Sequence, residues 1–468
     1  MVNGTYQNNN TLRFTNYTVN ASLNGYTANS TEANITNSKS ITLILQFIPL
    51  PPSNVCNLNT GICNDTIQKA INSAGIYDVL VIVNSTVYNE SLIVNKTGLT
   101  LTANTSNKPM VLSNISLPTI NITADNVTIR NLTIVYNGSS SNFGAVTASG
   151  RINITIANNT INNTGGGSNG YGVFFNTTNY STVENNSINT LRSASNYGVY
   201  FLRSSNNIVR SNNISAGGST GSIGIDTDTS VYNLIDSNVI FTSANANANY
   251  GIYVDTTNSS TVSNNIILTS GTGNDYGILI SPGFSNYIYG NNITTRSTSS
   301  ASPGIYLSSS GSNVFKNNNV STNRIQSYGI RIHNSGNNTF YDSFIDAPLD
   351  YDVFLTGTTA GNNNFFINVS FNKSDINASS ASVATKLFIQ YRFDATVTVS
   401  RTAPRRYQAS QSSGIKRQLN PRCSTPRATS QPLQTPPARY QRKSSRNSWS
   451  TELTSLKSQV SYTSRTIQ

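Results

Sequence analysis

The chain has 468 residues, of which 10 % are charged, 9 % are aromatic and 36 % are hydrophobic, with a formal net charge of +12. The length allows about two to four domains, and a surface built from Asn, Ser and Thr with so few charges argues against an ordinary cytosolic enzyme. The positive balance does not describe a nucleic-acid binder: acidic and basic residues cancel through residue 399, and the whole excess lies beyond it.

Residues 1–48 read as strands, with alternation over Tyr17–Ala21, a turn signal at Asn24-Gly25 and a further strand from Ser40 to Ile48. Residues 49–55 form a stiff linker around Pro49, Pro51 and Pro52. Cys56 and Cys63 are close enough in sequence for a disulfide or for two free thiols; Cys423 stands alone. Ile67, Ala70, Ile71 and Ala74 fall on one face of a helix over residues 65–74, with Asp65 as the expected N-cap, Gln68 three residues later and Gly75 beyond the end. That helix is placed to cover the open apolar end of a stack of repeats. No stretch is apolar enough over a sufficient length for a transmembrane helix. The start lacks the basic and apolar regions of a signal peptide, so the expectation is that the true start lies upstream.

From residue 56 to 380 the chain repeats one pattern, most regular between Gly144 and Ala347. Each copy opens on a glycine, namely Gly144, Gly172, Gly198, Gly224, Gly251, Gly277, Gly304 and Gly329. After the glycine come a short apolar strand, a polar turn, an apolar position, an asparagine and a second apolar position. The asparagine column is Asn159, Asn186, Asn212, Asn238, Asn265, Asn291 and Asn318, then Ser343. Apolar positions this close, split by asparagine, fit strands with a bend between them and no helix. The period of roughly 26 residues is that of a solenoid. In stacked coils the asparagines are expected to form a structural ladder at a left-handed bend. The glycines are expected where φ is positive or backbones approach closely. About a dozen coils at strand spacing predict a rod on the order of 55 Å long.

Residues 381–399 alternate through Leu387, Ile389, Tyr391 and Phe393, as the first strand of a further β-domain would. At residue 400 asparagine nearly vanishes while Arg, Lys, Pro and Gln rise. Residues 400–468 read as a disordered basic tail. A polybasic arm and a reading-frame shift are the two explanations this break leaves open.

The repeat resembles right-handed parallel β-helix proteins of the pectate-lyase-like superfamily, and within them the NosD-like branch with PbH1 repeats, found on archaeal and bacterial surfaces. The stretch Thr66–Lys96 resembles the opening of NosD-like β-helices, where a capping helix leads into the first coil. The run Tyr17–Tyr26 with Ile41–Phe47 resembles the end of a carboxypeptidase-regulatory-like or PEGA-type β-sandwich, which implies a partial sandwich over residues 1–48. The resemblance therefore implies an all-β protein: a right-handed parallel β-helix with a short N-terminal capping helix, preceded by a partial sandwich. It also implies other domains of a longer secreted or cell-surface protein as partners. NosD-like proteins are described as copper-binding, but one histidine and two methionines at unrelated spacings make no copper site. Roughly thirty Asn-x-Ser/Thr sequons, Asn121, Asn126, Asn131, Asn292 and Asn368 among them, favour an exterior, glycosylated protein over mere composition.

Chemistry on such a rod sits in rows of outward side chains. One expected row is Phe174, Tyr200, Asp226, Tyr253, Leu279, Tyr306 and Arg331; the next is Asn176, Leu202, Asp228, Asp255, Ser281, Ser308 and His333. Phe174, Tyr200, Tyr253 and Tyr306 are candidate contacts for a polysaccharide, since flat apolar rings grip sugar faces; the plainer reading is that aromatics suit strands. Asp226, Asp228 and Asp255 are candidate catalytic carboxylates of a lyase or hydrolase, or a Ca²⁺ position, or surface aspartates. The acidic clusters of pectate lyases and polygalacturonases are not matched residue for residue. No organic cofactor is expected. The leading expectation is a rigid spacer with a carbohydrate-interaction face; the alternatives are a polysaccharide-cleaving enzyme and a stalk or adhesin without a ligand.

Overall fold

The computed structural model describes residues 16–21, 29–34, 54–392 and 464–467, apart from the loop residues 105–107, 192–194, 220, 245–247, 299–301, 326, 359–361 and 382–385. Asn16–Ala21 and Asn29–Asn34 form an antiparallel pair. The other strands expected for a sandwich over 1–48, and residues 49–53 of the linker, lie outside the described residues. Val55, expected in that linker, already begins the strand Val55–Asn57. Cys56 and Cys63 face each other across an antiparallel pair and form a disulfide.

The capping helix runs Ile67–Ser73 and starts later than the expected residue 65. Thr66, not Asp65, is the N-cap, accepting from the Lys69 N–H at 3.3 Å. Asp65 instead forms an exposed ion pair with Lys69 at 2.9 Å. Gln68 makes no capping box. Its amide accepts from the Ile93 N–H at 2.8 Å and so ties the helix to the first coil. The reciprocal cap comes from a distant residue: the Glu90 carboxylate accepts from the Ile67 and Gln68 N–H groups at 3.0 and 2.8 Å. Ile67, Ala70 and Ile71 are fully buried against the coils, so the helix closes the apolar end of the core as expected.

The repeat folds as a right-handed parallel β-helix. Three sheets of 12, 16 and 11 strands line it, and neighbours in each sheet come from successive coils. Within a coil the order is first, second, third sheet, as in Gly170–Asn176, Thr182–Glu184 and Ser187–Leu191. Alternation sends one set of side chains inward, and these stack in register. Val173 pairs with Val199, and the rings of Phe175 and Phe201 stack at 5.3 Å.

At most bends of the regular coils a residue with φ near +55° precedes a buried Asn, Ser or Thr whose side chain bonds an adjacent coil, whereas Asn126, Asn131, Asn153 and Asn368 precede the buried Val127, Leu132, Ile154 and Val369. At the bend into the third sheet the left-handed residues are Asn158, Asn185, Ser211, Ser237, Asn264, Gly290 and Asn317. The ladder asparagines come one position later. The expected left-handed conformation thus belongs to the preceding residue, because the ladder amide must point inward. From Asn159 to Asn291, each ladder asparagine donates its backbone N–H to the Oδ1 of the next, at 2.9–3.1 Å. Its Nδ2 also donates to that oxygen and to a carbonyl of the preceding coil, as Asn238 does to Asn265 Oδ1 at 3.0 Å and Val209 O at 2.9 Å. A second ladder, which the sequence pattern did not suggest, runs through Ser181, Asn207, Asn233, Ser260, Asn286, Asn313 and Asn338 to Asn364.

Of the two reasons expected for glycine, close approach applies. A Cβ on Gly198 would stand 2.3 Å from Ile214 and 2.5 Å from the Gly224 carbonyl. Gly144 is one position out of the column. It pairs with Tyr171, and the adjacent pair is Val146 with Val173, which puts Ala145 opposite Gly172. At the C-terminal end, Lys386–Gln390 pairs in parallel with Asn363–Ile367, so the second sheet continues past residue 380 and this strand starts no separate domain. Ser464–Ile467, from the segment expected to be disordered, pairs antiparallel with Lys386–Gln390. The rest of 400–468 lies outside the described residues.

Candidate functional site

The outer face of the first sheet carries the densest chemistry. Register aligns Phe174, Tyr200, Asp226, Tyr253, Leu279, Tyr306 and Arg331 in one row. Val173 and its equivalents point inward, so this row points outward. A companion row, which the repeat pattern did not suggest, lies on the same face: Tyr171, Tyr197, Ile223, Tyr250 and Tyr276 pair in sequence. Its signal is plain in the sequence, an aromatic residue immediately before the repeat glycine.

These rings are mostly engaged with one another. Phe174 stacks on Tyr200 at 5.3 Å, Tyr197 on Tyr200 at 5.1 Å, and Tyr250 on Tyr276 at 5.0 Å. The Arg331 guanidinium lies 4.7 Å over the Tyr306 ring, and Tyr276 meets that ring edge-on at 5.2 Å. Tyr306 is therefore less available to a ligand than expected, because its face is taken by a cation–π contact. The continuous aromatic band is interrupted at one coil only, where Ile223 and Asp226 replace rings. Tyr197 and Tyr200 bound this gap on one side, Tyr250 and Tyr253 on the other.

Asp226 is not the surface group expected. It is 5 % exposed, and its Oδ1 has no hydrogen-bond partner among the described residues. The Tyr200 hydroxyl donates to Asp228 Oδ2 at 3.1 Å; Tyr200 is the register partner of Asp226, so its ring crosses that coil and covers the carboxyl. Burial, then the charges of Asp255 and Asp228, push the Asp226 pKa well above the ordinary carboxylate range. Asp228 and Asp255 pair directly across adjacent strands and remain partly exposed. Burial also raises Asp255, with Asp228 adding to it, while the Thr256 hydroxyl at 3.0 Å opposes the rise. Tyr200 and Tyr253 are pushed upward too, first by burial and then by these carboxylates, and stay neutral hydroxyl donors.

Other expected positions play no part here. Ser308 and His333 align in the outer row, coils away from the aspartates. Both ring nitrogens of His333 have neighbours, Thr356 Oγ1 at 3.0 Å and Asn334 Nδ2 at 3.1 Å. Among the described residues no three His, Cys, Asp or Glu side chains stand together so as to hold a metal ion. No helix among them is long and apolar enough to cross a membrane.

Two family models match the chain. One, described as "Right handed beta helix region", covers residues 118–293; the other, "Periplasmic copper-binding protein (NosD)", covers 238–380. The NosD-like β-helix resemblance expected from the sequence is thereby borne out. No curated protein matches the sequence. Among solved structures, the A-module of a mannuronan C-5 epimerase of Azotobacter vinelandii is 14 % identical, covering 69 % of this chain and 87 % of that one, with a TM-score of 0.43. An alginate lyase from Paenibacillus sp. is 14 % identical, covering 65 % and 96 %, with a TM-score of 0.34. A tailspike protein of the Escherichia coli bacteriophage HK620 is 10 % identical, covering 66 % and 62 %, with a TM-score of 0.42. The described residues do not fit the copper in the second family's description. His333 is engaged at both nitrogens, Cys56 and Cys63 are joined, and Met110 sits alone on the third sheet.

Proposed function

We propose that this β-helix is an exterior scaffold whose first-sheet face binds saccharide chains at the gap in its aromatic band. The carrying observation is that gap: rings of Tyr197, Tyr200, Tyr250 and Tyr253 flank three carboxyl groups on a rigid, preformed face. Apolar ring surface beside oriented acceptors is what a sugar presents to and requires of a protein. The Cys56–Cys63 disulfide and the periplasmic description of one matching family support a location outside the cytoplasm. Tyr253 is the test residue, because its ring is partly exposed and its hydroxyl lies at the edge of the gap, beside the Asp255 carboxylate and 3.4 Å from the Ser281 carbonyl. Tyr253→Ala is expected to lose about tenfold in glycan affinity by titration calorimetry, equal to about 1.4 kcal/mol, and to melt like the parent. A parent that binds no glycan leaves a spacer without a ligand, and a variant that binds as the parent does overturns the gap as the binding place.

A second reading has its own observation. Burial raises the Asp226 pKa, as a general acid requires, while Asp228 and Asp255 stand on adjacent strands about 5 Å apart, a spacing suited to retaining glycoside hydrolysis. Turnover of a polysaccharide that is lost in Asp226→Asn would establish it.

A further inference from the structure

The charge of the gap narrows the class of sugar. From Asn196 to Gly290 the chain holds five aspartates, Asp226, Asp228, Asp236, Asp255 and Asp275, against Arg203 and Arg210. Arg210 is on the second sheet, held by Glu184 at 2.6 Å. Arg203 is exposed at the edge of the first sheet beyond Leu202, and no ion pair joins it to the cluster among the described residues. The gap thus offers two partly exposed carboxylates, a buried carboxyl with an unpartnered oxygen, and four tyrosines whose ring faces attract cations. A uronate chain would bring like charge to this place. A protonated amine on a sugar ring matches every part of it.

We infer that the gap takes a cationic amino-sugar polymer, its ammonium group on Asp228 and Asp255 and its ring against Tyr253, with Asp226 as a buried third carboxyl beneath. This rests on the proposed saccharide-binding role of the same face. The arrangement has a consequence for protons. The groups facing Asp226 are Tyr197 and Tyr200 from one neighbouring strand, Tyr250, Tyr253 and Asp255 from the other, and Asp228 on its own strand. Those that carry charge near neutrality are both anionic. An arriving ammonium reverses that local sign and lowers the raised Asp226 pKa again, so at any pH where the acid form is populated binding is coupled to release of its proton.

The experiment titrates the full chain with a glucosamine pentamer, its N-acetylated counterpart, a polygalacturonate oligomer and spermidine. All are run at one pH where the amines are charged, by calorimetry in two buffers of different ionisation enthalpy. The glucosamine pentamer is expected to bind at least tenfold more tightly than the other three, more weakly at high salt, and with proton release. Asp226→Asn should lose the proton release and, without the third carboxyl, bind more weakly than the parent. Asp228→Asn with Asp255→Asn should lose at least tenfold in affinity while melting no lower than the parent. Preference for the N-acetylated or uronate oligomer overturns the amino-sugar assignment and leaves the saccharide role standing. Equal affinity for spermidine overturns it in favour of bare charge. Binding of none of the four, with no binding in a wider glycan screen, overturns both.

Discussion

A single buried carboxyl makes the fold sensitive to pH. The Asp226 pKa is raised in the folded chain, so its charged form costs more there than in the unfolded chain. The stability associated with the neutral acid is complete below the ordinary aspartate value of about 3.9 and is lost as pH rises through the folded value. Asp255, Asp275 and Asp352 are shifted in the same direction. Asp226→Asn removes the largest burial penalty of the four. It should melt like the parent near pH 4 and above it at pH 8; a parent curve that rises between those limits, unchanged in the variant, would falsify this. Asn238→Ala acts by another route. It deprives Asn212 of two acceptor contacts at 3.0 Å and leaves the Val209 carbonyl without its side-chain donor. The expected cost is about 3 kcal/mol, that of stranding buried polar groups, measured by chemical denaturation. No φ effect enters, since the left-handed residue there is Ser237. The ladder was legible because one residue type recurs at a fixed offset from two apolar columns. The burial of Asp226 was not. Alternation assigns the outward side of a strand, but it does not show that Tyr200 leans across from the preceding coil.

At the scale of elements, two contacts decide how the coils begin and how tightly they stack. The capping helix is short, and its first two N–H groups depend on Glu90. Glu90→Ala should cost about 1–2 kcal/mol and raise hydrogen exchange at Ile67 and Gln68 before it affects the mid-rod amides. Gly224→Ala places a methyl 2.2 Å from Ile240 and 2.5 Å from the Gly251 carbonyl. Because one of those neighbours is backbone, the coil cannot yield cheaply, and a loss of about 3 kcal/mol should appear as a lower melting temperature. The helix was legible from its apolar spacing, while its cap was misassigned because Glu90 lies 23 residues from Ile67. The second ladder escaped notice for a different reason: its column mixes Ser with Asn, and hydroxyl and amide serve the same purpose only once the bend is known.

The whole β-helix inherits a direction from its smallest parts. Every ladder asparagine from Asn159 to Asn291 donates its backbone N–H toward the C-terminal end, and its Oδ1 accepts from the N-terminal side. At that C-terminal end, Ser464–Ile467 covers the last parallel strand. A chain ending at residue 400 should still unfold cooperatively, but its bared strand edge should promote self-association, read by sedimentation at rising concentration. The common orientation of the ladder has a consequence for its energetics. Aligned amides form a file of dipoles running along the bend, its negative pole at Asn159 and its positive pole toward Ser343. In such a file each bond polarises the next, by about 10–30 % per bond. Breaking it in the middle leaves two short files in place of one long one, whereas trimming an end merely shortens it. Replacing Asn238 should therefore weaken the protein more than replacing Asn159, and by more than the one contact in which they differ, since Asn159 Oδ1 accepts only from the Leu132 N–H while Asn238 Oδ1 accepts twice from Asn212: the fold is most vulnerable at the centre of its polarity, far from either cap.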